Sequence, residues 1–331
     1  MRIAVASLAS AQSRKWILPS LWLILVFWFL GRVFNHSKYA DKLNVFSGNG
    51  TFGATKAQFY DYYKLLRHSG NKTDSHLQAD WMTVNVSTSN KAAVIIETRR
   101  SGGIVPLVLH FSAVLGPDWP IVIYTAAENF GSFSTSAALL RHQRAGRVVI
   151  RALADGVYFP NWNSVSDFLT TPWIWEEMAP AEHVLLFQTD SILCSNSVRK
   201  VDDFFEWDFV GAPINPDIGV GYNGGLSLRN RKTTLRVLSE FEWAAKPEPY
   251  PEDQWFFSRM KDLQEKDSEE GIVSSIKLPD METARTFAVE TIDYPHPLGL
   301  HQPDRFLKEH ILSLDEWCPE YKLATKDRIG N

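Results

Sequence analysis

Apolar and polar positions follow two periods along this chain, and their order predicts an α/β sheet. Ala92–Ile96 (AAVII), Pro120–Thr125 (PIVIYT), Arg147–Ala152 (RVVIRA) and Val184–Phe187 (VLLF) are short apolar runs bounded by polar, Gly or Pro residues. Such runs read as strands, those apolar throughout as strands buried on both faces. Between them, Ile104–Leu115 and Ser134–Ala145 read as helices, and Thr171-Pro172 starts a third over Trp173–Met178. Alternation of this kind implies a sheet that is parallel at first and flanked by helices. Further along, Asp208–Pro213 reads as a strand, and Gly219–Asn230 as a glycine loop entering a strand at Leu226–Arg229. Thr233–Ala245 reads as an amphipathic helix and Pro251–Phe257 as the start of another. Lys261–Glu270 is a charge run, expected to be a solvated loop, and a mixed tail follows from Asp280.

The first ninety residues have a different pattern. Trp16–Gly31 carries no charge and, extended through Phe34, approaches the roughly 20 apolar residues that cross a bilayer. No small-x-small cleavage pattern follows Leu30, so an uncleaved anchor is expected over residues 16–34, behind a tail of residues 1–15. Acceptor patterns for N-glycosylation occur at Asn35, Asn49, Asn71 and Asn85 and at no later position. Residues 35–90 therefore read as a glycosylated stem, with one helix over Ala57–Arg67, and residues 91–331 as the folded domain. The expected protein is single-pass and type II, cytosolic at its N-terminus, with its domain in the lumen of the Golgi or another secretory compartment.

The 331 residues, 45% hydrophobic, can bury one large core or two modest ones. A net charge of -4 without a lysine–arginine stripe gives no reason to expect nucleic acid. Cys194 and Cys318 are too few for a disulfide framework; one bridge and two buried thiols are both open.

Candidate chemistry centres on His183–Cys194 (HVLLFQTDSILC), where Asp190 follows a buried strand. Open α/β sheets present ligands outside the carboxyl ends of such strands. Gly219-x-Gly221-x-x-Gly224 spells a dinucleotide fingerprint, but it comes late and leads into a strand, which argues against a dehydrogenase. Asn223-Gly224-Gly225 is better read as backbone passing close to a ligand. Glu252 and Asp253 follow Pro251 at a helix start, where the dipole favours acids and where one could also accept a proton from a hydroxyl. His296 and His301 sit in a Pro/Gly-constrained loop and could include a metal ligand; neither HExxH nor a CxxC pair supports a zinc site.

The segments AAVIIETR, PIVIYT, HVLLFQTDSILC, WDFVGAP, YNGGLSLRNRK, PEDQWF and PLGLHQP, in this order between residues 92 and 303, resemble the DUF5672 family of fungal and microbial proteins. That family is similar to GT-A glycosyltransferases. The resemblance implies a Rossmann-type mixed sheet, mostly parallel, that transfers sugar from a nucleotide-sugar donor to a glycan or glycoprotein acceptor. It implies Asp190 as the acid holding Mn²⁺ or Mg²⁺ on the donor diphosphate, within a Gln188-Thr189-Asp190 segment, and His301 or His296 as a late metal ligand. Glu97, Thr98 and Arg99 would line the nucleotide pocket; Asn223, Gly224 and Gly225 would border donor and acceptor. Asp253, beside Glu252, would be the base or acceptor contact. GT-A sites usually carry Asp-x-Asp, and Gln188 stands where the first acid would be, a donor set that makes a weaker site for hard cations. Arg99 or Arg229 is then an alternative means of neutralising the diphosphate, and an inactive glycan-binding or scaffold protein is the alternative function.

Overall fold

The structure, a computed structural model, describes residues 88–325 except 134, 246–250, 272, 307–308 and 310. The expected anchor, the stem with its helix over residues 57–67, and the four sequons lie outside the described residues. Among the described residues, no helix is long and apolar enough to cross a membrane.

Four parallel strands form first: β1 (Lys91–Ile96), β2 (Ile121–Thr125), β3 (Val148–Ala152) and β4 (His183–Phe187). β5 (Ser191–Leu193) follows at once, then β6 (Phe209–Pro213) and β7 (Tyr222–Asn230). The main sheet has the order β3-β2-β1-β4-β7-β6, with β7 antiparallel to both its neighbours. A small sheet, β5-β9-β8, is completed by β8 (Ala288–Val289) and β9 (Gly299–His301). The result is a mixed α/β fold with a central sheet and flanking helices.

Side chains two apart share a face of a strand, and both faces of the main sheet are covered. Ala93, Ile95, Ile121, Ile123, Leu185 and Phe187 enter one apolar cluster; Val94, Val122, Tyr124, Val184 and Leu186 enter another. Helix α1 (Ile104–Leu115) closes the first face with Ile104, Leu107, Val108 and Phe111, spaced as one helical stripe. Phe111 stacks on Phe187 with centroids 3.9 Å apart. Helix α2 (Ala137–Arg144) begins later than its apolar pattern because Ser136 caps it, accepting from Leu139 N at 3.2 Å.

Helix α3 (Trp162–Leu169) was not anticipated: its sequence, WNSVSDFL, reads as a polar connection. It forms on a reciprocal cap between Asn161 and Ser164 and buries Phe168 and Leu169 against the second face. Helix α4 (Pro172–Glu177) adds Ile174 and the fully buried Trp175. Helix α5 (Arg231–Glu240) starts two residues before its expected position and stops at Phe241, whose backbone is extended.

The charge run is a correction to the sequence reading. Lys261–Glu270 is not a loop, because helix α6 runs from Glu252 to Glu269. Met260 and Leu263 continue its buried stripe, and the charges are paired: Arg259 with Asp262 at 2.9 Å, Lys266 with Glu240 at 3.0 Å, and the buried Asp267 with Arg236 at 2.9 Å. One leucine in ten residues hides a stripe that packing completes. Helix α7 (Met281–Phe287) and helix α8 (Ile311–Trp317) follow. Cys194 and Cys318 are joined by a disulfide, both buried, which ties the end of β5 to the segment after α8.

Candidate active site

β4 carries its apolar residues to Phe187 and then turns. Gln188 N donates to Gly225 O at 2.9 Å and Ser191 Oγ donates to the same oxygen at 2.6 Å, so the turn is fastened to β7. Because β7 is antiparallel, with Leu226 opposite Phe187, its first residues lie at the carboxyl end of β4. Asn223-Gly224-Gly225 is thus part of a strand rather than the expected loop. Its two glycines permit close approach on opposite faces. A Cβ on Gly225 would run into His301 Nε2, and one on Gly224 would lie 2.6 Å from Arg229 Nη2 and 2.9 Å from Glu252 Oε1.

Pairing of β5 with β9 sets Ser191 opposite His301 and so brings His301 against Asp190. His301 Nε2 is 3.4 Å from Asp190 Oδ1, and His301 Nδ1 is 3.3 Å from Glu290 Oε1. All three groups are buried. At these lengths the contacts are ion pairs rather than well-formed hydrogen bonds. Burial alone would lower the imidazole pKa, but the charges of Glu290 and Asp190 outweigh it and raise it to about 10. Burial would likewise raise the Asp190 pKa; the charge and bonding of His301, with a hydrogen bond from Gln302, bring it below the usual carboxylate value.

A second acidic group stands at the start of α6. Asp253 accepts from Gly224 N through Oδ2 at 2.7 Å and from Gln254 N through Oδ1 at 2.7 Å. Burial first, and the charge of Glu252 second, push its pKa up to about 7, against the pull of those amides and of Arg229. Glu252 Oε1 accepts from Arg229 Nη2 at 2.9 Å, while Glu252 Oε2 is buried without a hydrogen-bond partner. Glu252 N donates to Ser166 Oγ on α3 at 3.4 Å, and Trp162 lies one helical turn before Ser166 on the same face.

One cavity of about 230 Å³ gathers these groups. Of the residues nominated from sequence, Gln188, Asp190, Asn223, Gly224, Gly225, Glu252, Asp253 and His301 line it. Thr189 is buried beside the cavity, within 3.4 Å of Arg99 Nη2. Glu97, Thr98 and Arg99 do not line it. Arg99 forks onto Glu97, with Nη2–Oε2 at 2.6 Å, and Thr98 Oγ1 accepts from Phe159 N at 3.0 Å. His296 is exposed and packs edge-on against Trp317, away from the cavity lining. Arg229, expected as a possible diphosphate neutraliser, is fully buried under Gly224 among Phe209, Phe256 and Trp175, where it pairs with Glu252 instead.

The sequence reading missed Trp162, Ser166, Glu290, Gln302 and Arg305 in the lining. The Asn161/Ser164 cap was a legible signal for the first two. Glu290 and Gln302 carry no local signal, since register alone brings them in.

The expected divalent metal can be tested against these side chains. Asp190 and His301 offer a carboxylate oxygen and an imidazole nitrogen 3.4 Å apart, and that nitrogen has no hydrogen-bond partner. A shared cation would fit this donor pair by displacing the imidazole proton, and Glu290 on the other ring nitrogen is then the outer carboxylate that orients ligating histidines. Among the described residues, no group of three or more His, Cys, Asp or Glu is arranged to hold a metal. Phosphate and water oxygens would have to complete the shell, as they do for Mg²⁺.

No curated protein matches the chain. Similar solved structures include the glycosyltransferase GlyE of Streptococcus pneumoniae TIGR4 in its apo form, at 16% identity and a TM-score of 0.34, over 65% of this chain and 55% of that one. Another is the mannosyltransferase PcManGT of Pyrobaculum calidifontis in complex with GDP-Man and Mn²⁺, at 11% identity and a TM-score of 0.39, over 67% of this chain and 62% of that one. The chain thus spans 55% and 62% of the lengths of these two proteins. A family model described as "Protein of unknown function (DUF5672)" matches residues 147–301, which include β4, β7, the start of α6 and β9. Over residues 147–301 the chain is similar to the DUF5672 family.

Proposed function

We propose that the protein is a glycosyltransferase of GT-A type, moving a sugar from a nucleotide-sugar donor to a hydroxyl of a glycan or glycoprotein. One observation carries this reading. The Asp190–His301 pair and the Glu252–Asp253 pair face one cavity at the carboxyl end of β4, with Asn223–Gly225 between them. The first pair suits a metal-bound diphosphate, and the second suits an incoming hydroxyl.

A divalent cation held by Asp190 and His301 would supply Lewis-acid neutralisation of the departing diphosphate. The chain's own residues supply the remainder. Glu252, fixed by Arg229, places a negative charge beside Asp253 and helps to raise its pKa. Asp253, with a pKa near 7, takes the hydroxyl proton while that oxygen bonds to the anomeric carbon. The bond from the anomeric carbon to the diphosphate oxygen breaks, and the nucleoside diphosphate leaves. Such a single displacement inverts the anomeric centre.

The Cys194–Cys318 disulfide favours an oxidising compartment, in keeping with a type II protein whose domain is lumenal. Residues 1–15, 16–34 and 35–90 would be its tail, anchor and stem, with sugars on Asn35, Asn49, Asn71 and Asn85. A mobility shift of the expressed full chain on enzymatic deglycosylation tests that placement. The catalytic reading is tested by incubating the solubilised protein with UDP-, GDP- and CMP-sugars, glycan acceptors and Mn²⁺. Acceptor-dependent release of nucleotide, lost in Asp253→Asn, supports it; failure to bind any nucleotide would leave an inactive glycan-binding or scaffold protein, the reading that Gln188 favours.

A further inference from the structure

Every other tryptophan among the described residues packs into one of the two apolar clusters, and Trp162 enters neither. Its side chain is half-buried and lines the cavity, with no aromatic contact or hydrogen bond among the described residues. A buried indole ordinarily finds a partner for its N–H, as Trp175 does in Leu169 O at 2.8 Å and Trp317 in Pro297 O at 2.9 Å. The position of Trp162 is nevertheless well fixed. The Asn161/Ser164 cap makes it the first residue of α3, and Ser166, one turn on, accepts from Glu252 N at 3.4 Å. Val165 on the same helix and Pro251 before Glu252 also line the cavity, so apolar surface stands beside the acids Glu252 and Asp253. A flat apolar ring next to polar groups matches a ligand of the same mixed character. A pyranose has it, with C–H groups on its faces and hydroxyls around its rim.

We propose that the acceptor is a neutral pyranose stacked on Trp162, rather than a serine or threonine of a polypeptide. The proposal rests on the transferase reading above and names the acceptor class for it. A peptide hydroxyl group brings no face to lay on an indole. A pyranose does, and from that platform it presents a rim hydroxyl to Asp253 across about one helical turn. The transfer is unchanged: Asp253 takes the proton of that hydroxyl, its oxygen bonds to the anomeric carbon, and the nucleoside diphosphate leaves. A sugar carrying a carboxylate is disfavoured in the same place, because its charge would lie beside Glu252 and Asp253. Nothing in the sequence singles out one tryptophan of twelve; its place in the cavity, outside both clusters, does.

The test is ligand-observed NMR titration of the solubilised full-length protein, with UDP, GDP or CMP and Mn²⁺ present. The probes are the methyl glycosides of glucose, galactose, mannose and N-acetylglucosamine, methyl glucuronoside, and a capped Gly-Ser-Gly peptide. At least one neutral glycoside binds wild type, about tenfold more tightly than the glucuronoside or the peptide. Trp162→Leu keeps apolar bulk and loses the flat ring, and its Kd for that glycoside rises about tenfold. Trp162→Phe keeps a ring and stays within about threefold. Nucleotide affinity and melting temperature match wild type in both variants, since the side chain lies outside both clusters. Unchanged glycoside affinity in Trp162→Leu, an equal loss for nucleotide, or no glycoside bound by wild type overturns the platform. Tighter binding of the peptide than of any glycoside overturns the acceptor class, and glucuronoside binding equal to that of the neutral sugars overturns its neutrality. If glycosides bind through Trp162 but no nucleotide binds, the transferase reading fails and the acceptor role with it, leaving a glycan-binding protein.

Discussion

Arg229 and Glu252 form an ion pair of 2.9 Å in which the guanidinium has no exposure at all. Three aromatic rings surround the cation, and the second oxygen of Glu252 is buried without a hydrogen-bond partner. Removing one member leaves a buried charge uncompensated, which costs about 3–5 kcal/mol, whereas replacing both by apolar groups is often near neutral. Glu252→Gln is therefore expected to unfold at markedly lower urea than wild type. The Arg229→Met, Glu252→Met double variant should recover much of that loss without recovering transfer activity. Equal stability of Glu252→Gln and wild type would contradict the pairing.

Asp253 sets a pH dependence whose sign follows from its folded pKa of about 7, above the ordinary 3.8. Between those values the folded state binds more protons than the unfolded state, so its contribution makes stability fall as pH rises through that window. Asp253→Asn should flatten the fall, with its melting temperature gaining on wild type from pH 4 to pH 8. Transfer should show the opposite trend, rising as Asp253 loses its proton near pH 7 and dropping about 10²–10⁴-fold in the variant. Parallel melting and rate profiles against pH check both.

For His301 the window is alkaline. Its folded pKa of about 10 exceeds the ordinary 6.5, so the stability it contributes is complete below 6.5 and lost as pH rises through about 10. The stability advantage of wild type over His301→Gln should thus shrink between about pH 7 and pH 10, measured by denaturant unfolding in EDTA.

The disulfide spans 124 residues of sequence. Its removal in Cys194→Ser, Cys318→Ser is expected to cost about 2–5 kcal/mol. Reductant should lower the melting temperature of wild type and leave that of the double variant unchanged.

Much of the main sheet was legible because its strands are apolar on both faces and its first helix keeps a clean stripe from Ile104 to Phe111. Asp190 and the acids after Pro251 were legible as types in places that present chemistry. The remainder depends on pairings that no local pattern records. His301 meets Asp190 only through the β5–β9 register, and Glu290 arrives with the short strand β8 beside it. Arg229 looked available because a strand shows alternate residues to each face; the aromatic cage that buries it comes from β6, α4 and α6.

The hydrogen bond from Gln302 to Asp190 crosses 112 residues. During synthesis the chain completes β1 to β4 and exposes Asp190 long before its partners leave the ribosome. The sheet can assemble from nearby segments, but the site closes only when β9 arrives, a long-range step that comes late. A chain ending before Gly299 would keep the strands of the main sheet and lack the Asp190–His301 pair, so that pair exists only in a chain translated through β9.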